Sequence, residues 1–335
     1  MRLLTVLMLM LPTGMAHAGA GTTQAEFLKI GLSPRAAAMG GAFGAVADDL
    51  GAIEYNPAGL SQLNNSQVSA QYVQWIGDVR FASLAGAHVV PFLGTVGVSL
   101  STLDIGGGLL GTKDIEGSLK NFAALGYVIR AAWSRALRED VCVGAGAKIL
   151  EEDIGTFASS GFAVDAGALY TPMRGASLGL AILNLGTAAA FEREKNGLPL
   201  LIKLAGAWKG MEGEYGQVIA SADLDWAPKP RNRLAPSFGV EYWGGRYFAL
   251  RAGYALTDTD LSELVGFSAG LGVRAGAFRF DLAYAPFSAL GQAIRGSVNW
   301  EIWPLVTLGL PGSSVGEPRA LSGTRVQLPA PPYVT

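Results

Sequence analysis

From Gln67 onward the chain falls into short stretches in which apolar and polar residues alternate, the pattern of a β-strand whose two faces meet different surroundings. Phe278, Phe280, Leu282 and Tyr284 share one face of such a stretch, and Arg279, Asp281 and Ala283 share the other. About fourteen strands can be placed, over 67–75, 80–90, 94–104, 118–130, 140–152, 160–170, 176–185, 199–208, 217–226, 235–243, 246–256, 265–274, 277–285 and 291–302. The strand charges fall mostly on one parity. Asp223 and Asp225 oppose Val218, Ala220, Ala222, Leu224 and Trp226. Arg251 opposes Phe248, Leu250, Ala252 and Tyr254, Arg274 opposes Phe267, Ala269, Leu271 and Val273, and Arg295 with Glu301 opposes Val298, Trp300 and Ile302.

One face therefore suits hydrocarbon and the other a polar interior. A sandwich of two sheets shares the alternation. An open sheet edge has no partner in lipid, so the expected fold is all-β, a closed antiparallel transmembrane β-barrel of about 14 strands. Half of the residues are apolar and only 16% are charged, against roughly a quarter in ordinary soluble proteins. Beyond the first 18 positions Gly, Ser or a charge interrupts every apolar run well short of the roughly 20 residues a membrane helix needs. A net charge of −2 offers no basic face for nucleic acid. Cys142 is the only cysteine, which leaves no disulfide and no multi-cysteine metal site.

Residues 1–18 read as a cleavable export signal, with Arg2 before the apolar stretch Leu3–Leu11 and Ala16-His17-Ala18 as the cleavage site. An export signal followed by strands places the chain in the bacterial outer membrane, surrounded by its lipid. Connections between strands mostly alternate in length, as short periplasmic turns and longer outer loops do: 91–93, 171–175, 244–245 and 275–276 are tight, and 105–117, 186–198 and 227–234 are long. The connection 131–139 is longer than this scheme expects. Trp75, Trp133, Trp208, Trp226 and Trp243 fall near strand ends, where an interfacial girdle belongs.

Many of the 46 glycines lie on the inward parity, among them Gly144, Gly146, Gly167, Gly179, Gly239, Gly253 and Gly270, and they leave room in the lumen. The filler is expected in residues 19–66, as a short helical plug started by Ser33 with Pro34 at the first helical position and reaching toward Asp49. Its small residues, Ala36 to Ala38, Gly40 to Ala42, Gly44, Ala45 and Ala47, suit a confined space. The barrel then spans 67–302, and 303–335 forms a Pro- and Gly-rich periplasmic tail without the means to build a core.

Within the plug segment, Ser33 with Arg35, Met39-Gly40-Gly41-Ala42, Ala47-Asp48-Asp49 and Asn56-Pro57-Ala58-Gly59-Leu60 form a combination that resembles the opening of the PorV/PorQ family, relatives of the FadL-type transporters. The likeness covers Gly31 to Leu60 directly and the barrel only in pattern. It implies a plugged 14-stranded barrel with a transport-related role, as an adaptor or subunit in protein secretion or outer-membrane assembly with a secretion or cargo protein as partner. The FadL side implies instead passage of long-chain fatty acids or other small hydrophobic molecules. The chain is short for FadL-sized outer loops, which favours the first. Carried over, the resemblance makes Asn56, Pro57, Ala58 and Gly59 gating candidates; Asn56-Pro57 reads equally well as the turn into the first strand. Arg35, Asp48 and Asp49 are candidate plug anchors on inward charges such as Arg251 or Asp281; Asp223, Asp225, Arg274, Arg279 and Arg295 are the other lumen charges.

Three motifs suggest chemistry. Gly106 to Gly111 satisfies G-x-G-x-x-G, but no helical period follows, so no dinucleotide or other cofactor is expected. Gly266 to Gly270 satisfies G-x-S-x-G, but strand alternation runs straight through Ser268, and His88 is the sole histidine after the signal. Glu151-Glu152-Asp153 reads as a solvated rim rather than a cation site. A non-enzymatic barrel is expected.

Overall fold

The computed structural model describes residues 25–76, 79–105, 124–154, 157–188, 197–213, 216–228, 233–256, 266–287 and 291–302. The expected signal, residues 1–18, the tail 303–335 and the glycine motif at 106–111 lie outside the described residues. Fourteen strands form one closed antiparallel barrel: β1 (Ser66–Gln74), β2 (Val79–Val90), β3 (Gly94–Ile105), β4 (Ala124–Ala136), β5 (Val141–Ile154), β6 (Phe157–Met173), β7 (Ala176–Ala188), β8 (Leu201–Gly213), β9 (Gly216–Ala227), β10 (Arg233–Gly244), β11 (Phe248–Ala255), β12 (Phe267–Ala275), β13 (Phe278–Pro286) and β14 (Gln292–Ile302). Each pairs with its sequence neighbours, and β1 closes the ring on β14 from Ser66↔Ile302 to Gln74↔Ile294. No strand edge is left open, as hydrocarbon surroundings demand.

Alternation decides which side chains point where. On β13, Phe280 and Leu282 are 46% and 51% exposed while Arg279 and Asp281 are 8% and 4% exposed. Leu250, Leu271 and Val298 continue the outward apolar belt on β11, β12 and β14. Connections at the end holding Ser66 and Ile302 run to two to four residues, and the long ones lie at the other end, together with the two-residue link between β5 and β6. The sequence reading of 118–130 as a strand is corrected: β4 runs on to Ala136, leaving only 137–140 as its connection to β5. Ala131 and Ala132 blur the polar alternation there, although Ala132 and Ser134 point inward and Ala131 and Arg135 outward. The apparent long periplasmic connection disappears.

Two tryptophans also depart from the girdle. Trp208 and Trp226 face outward, as expected. Trp243 shares the inward parity of Glu241 and is buried, with the guanidinium groups of Arg251 and Arg274 5.6 and 5.1 Å from its ring centroid. Trp75 packs against Phe287 and Arg295 at the long-connection end. Strand position suggested an interface; parity overrides position.

The lumen is filled by the segment from Ala25 to Leu63. A 3-10 turn (Glu26–Lys29) precedes helix α1 (Pro34–Ala38), whose cap Ser33 accepts from the Ala36 amide at 3.4 Å. The helix expected to reach Asp49 stops after five residues, because Gly40 and Gly41 turn left-handed (φ 68° and 83°) and the Gly41 amide returns to the Ala36 carbonyl. A turn-rich stretch then leads to helix α2 (Ala52–Tyr55) and a second 3-10 turn (Pro57–Gln62), neither of which the sequence patterning separates. Met39, Phe43, Val46, Leu50, Ile53 and Leu60 form an apolar core with inward alanines of β2, β4 and β8. No helix among the described residues is long and apolar enough to cross a membrane.

Candidate functional site

The plug is held in three ways, beginning with space. Inward glycines provide seats for its backbone: a Cβ at Gly253 would strike Met39 and Gly40, at Gly239 Met39, at Gly179 Gly44, and at Gly144 Pro57 and Ala58. Only hydrogen at these positions permits so close an approach.

The second is a closed ring of six buried charges of alternating sign. Arg35 of α1 meets Glu241 of β10 through two bonds of 2.7 Å. Glu241 accepts from Arg251 Nε at 2.5 Å, and Arg251 Nη1 donates to Asp281 at 2.8 Å. Asp281 accepts from Arg279 Nε at 2.8 Å, Arg279 Nη2 donates to Asp49 at 2.7 Å, and Asp49 returns to Arg35 at 3.1 Å. Every charge has two opposite neighbours, which is the condition under which burial of so many is tolerable. Arg35 also donates to Asp48 (2.5 Å), which Lys209 of β8 holds from its other side at 2.8 Å. Burial alone would raise the Asp48 carboxyl, but Arg35 and Lys209 outweigh it and hold it well below the usual carboxylate range. The same acids, opposing the cost of burial, hold the Arg35 guanidinium protonated.

Polar strand residues bound to plug backbone form the third. Asp223 accepts from the Phe43 and Gly44 amides at 3.0 and 2.8 Å, and pairs with Lys203, which also holds Asp225. Ser221 donates to the Ala42 carbonyl and Ser177 to that of Ala45. Ser268 accepts from the Gly40 amide at 3.0 Å and donates to the Ala38 carbonyl, so the serine of the G-x-S-x-G motif is a plug contact. His88 hydrogen-bonds Ser66 instead.

The gating candidates sit against the wall. Asn56 is fully buried; its Nδ2 donates to Gly44 (2.8 Å) and to Ala168 of β6 (3.2 Å), while Oδ1 accepts from the Ala58 amide. It thus caps the turn that Pro57 begins. Ser134 of β4 donates to the Ala58 carbonyl at 2.8 Å, and a side chain at Gly59 would collide with Ala47. Arg274 lies apart from the ring, over Trp243 and 4.0 Å from Glu301. Glu241, Lys203, Ser177 and Ser221 belong to no sequence motif, although each lies on the inward parity of its strand.

Beyond the plug, on the long-connection side, lies a cavity of about 560 Å³. Tyr55, Trp75, Leu200, Phe287, Lys203 and Arg295 are among the residues that line it. A bulge in β7 shapes one wall: Asn184, left-handed at φ 62°, donates its amide to Asp165, which pairs with Lys148. Among the described residues no group of three or more His, Cys, Asp or Glu side chains gathers to hold a metal.

Several solved structures share this barrel architecture. The Ralstonia pickettii toluene transporter TbuX superposes with a TM-score of 0.56 at 13% identity, over 82% of this chain and 99% of its own. The Pseudomonas putida toluene transporter TodX gives 0.54 at 14%, over 80% and 96%. A Pseudomonas aeruginosa FadL homologue gives 0.50 at 12%, over 80% and 98%. At such identities what is shared is the fold. No protein-family model and no curated protein sequence matches the chain.

Proposed function

We propose that this chain is a non-catalytic channel of the bacterial outer membrane that passes small, largely apolar molecules, with the segment from Ala25 to Leu63 as its barrier. The carrying observation is the cavity of about 560 Å³ on the outer side of the plug, where Trp75, Phe287 and Leu200 supply apolar surface inside a barrel whose outward belt suits lipid. The fold shared with two toluene transporters supports the same reading. The test is uptake of a labelled monoaromatic hydrocarbon by cells with and without the chain in their outer membrane. Faster uptake with the chain is expected; equal rates would overturn the reading.

A second reading rests on the ring of six charges. A plug tied so firmly suits a barrel that stays shut and serves as a subunit in secretion or membrane assembly, the role that the resemblance of Gly31–Leu60 to the PorV/PorQ family implies. A protein partner in fixed ratio on gentle extraction, with no gain in uptake, would favour it.

A further inference from the structure

Lys148 of β5, Asp165 of β6 and Asn184 of β7 meet on three neighbouring strands, and all three side chains are buried in the barrel wall. Lys148 Nζ donates to Asn184 Oδ1 at 2.6 Å and lies 2.8 Å from Asp165 Oδ2, while Asp165 Oδ1 accepts from the Asn184 backbone amide at 2.7 Å. Asn184 Nδ2 donates to the Pro199 carbonyl at 3.0 Å, which holds the carboxamide with its oxygen toward the lysine. Lys203 and Lys209 meet carboxylates instead.

The bulge in β7 brings Asn184 to this place. Alternation continued from outward Leu178 and Leu180 would point residue 184 into lipid. Val164 pairs instead with Leu185 and Ala166 with Ile182, so that Asp165 faces both Leu183 and Asn184, and both are buried. An interrupted ladder and a left-handed asparagine, φ 62°, thus aim one carboxamide at one amine.

An amine, a carboxamide and a carboxyl held in contact away from water are the nucleophile, the acyl donor and the proton carrier of an amide exchange. We propose that Lys148 and Asn184 join in an isopeptide bond, with Asp165 carrying the protons. Lys148 first passes a proton to Asp165 Oδ2, which removes the buried ion pair and frees the Nζ lone pair. Nζ then attacks Asn184 Cγ; the Nζ–Cγ bond forms and the Cγ–Nδ2 bond breaks. Asp165 relays to Nδ2 the proton that Nζ sheds, and the departing ammonia takes the proton first given to the carboxyl. One ammonium ion leaves through the outer cavity, which Lys148 and Asn184 help to line. No oxidant, metal or co-reactant is consumed. The bond ties β5 to β7 across β6, whatever the channel passes.

The test is mass spectrometry of tryptic peptides from the full chain, folded and extracted from its own outer membrane. The unaltered chain should stay uncut after Lys148 and give a branched peptide joining residues 139–174 to 175–193, lighter than the two together by one ammonia. Lys148→Arg should give no branch, and Asp165→Asn should slow its appearance after refolding by at least about a hundredfold, the scale of general acid–base catalysis. Complete cutting after Lys148 in the unaltered chain, or loss of ammonia without the branch, would overturn the bond. A branch that forms as fast in Asp165→Asn would overturn the role of Asp165. Because the unaltered chain alone decides the first point, a variant that fails to fold does not protect the idea.

Discussion

Arg35 and Glu241, 206 residues apart, meet through two parallel hydrogen bonds of 2.7 Å, and both side chains are buried. This fork joins the plug to β10 and opens the ring that continues through Arg251, Asp281, Arg279 and Asp49. Removing one member of such a set strands its neighbours without water or counter-charge. Glu241→Gln should therefore destabilise the plug by about 3–5 kcal/mol, the range for breaking a buried pair. Limited proteolysis should cut within residues 25–63 in the variant and not in the parent, with the barrel still migrating as a folded species. Equal protection in both would show that the ring does not hold the plug.

Gly253 faces the Met39–Gly40 peptide so closely that any Cβ there would overlap it. Gly253→Val should displace the plug rather than break the wall, because β11 keeps its ladder to β10 and β12 while overpacking costs about 1–3 kcal/mol at the contact. Planar-bilayer recordings should show larger and more frequent conductance than the parent. Unchanged conductance would mean that the plug shifts without unblocking the lumen.

Much of this arrangement is legible in the sequence because strand parity is a strict code. The burial of Arg279 and Asp281 and the exposure of Phe280 and Leu282 follow from a single alternation. The inward glycines, read as room, prove to be seats for particular plug atoms, as Gly144 is for Pro57 and Ala58. Partner identity is not legible. Arg35 pairs with Glu241 and Asp49 with Arg279, each across more than 200 residues, while Arg251 and Asp281, read as anchors for the plug, pair with each other across 30, and nothing local specifies these choices. The short length of α1 is not legible either, because alanines continue past Gly40-Gly41, whose left-handed turn overrides their helical propensity.

Asn56 makes three hydrogen bonds from a fully buried position, two of them to carbonyls on separate parts of the molecule, Gly44 in the plug and Ala168 in β6. Asn56→Ala removes both donors and leaves those carbonyls without this partner, at a cost of about 1–3 kcal/mol. Amide exchange at Ala58 and Gly59 should quicken. If Asn56 gates passage as well as capping the turn, uptake of the hydrocarbon rises with it; faster exchange with unchanged uptake would confine Asn56 to the turn.

Asp48 joins two elements, Arg35 of the plug and Lys209 of β8, and its carboxyl is held well below the ordinary range by those cations against the opposing effect of burial. A carboxyl whose folded pKa lies below its unfolded value stabilises the fold fully above the unfolded value, about 4, and loses that contribution as pH falls toward the folded one. Plug protection should therefore be level from pH 7 to about 5 and decline below about 4. Asp48→Asn should flatten the part of the acid decline that Asp48 carries and lower protection at neutral pH, since Lys209 and Arg35 then lose a shared anion. Protease or exchange protection of residues 42–50, followed from pH 7 to 3 in both forms, decides the matter: parallel curves would remove Asp48 from the acid response.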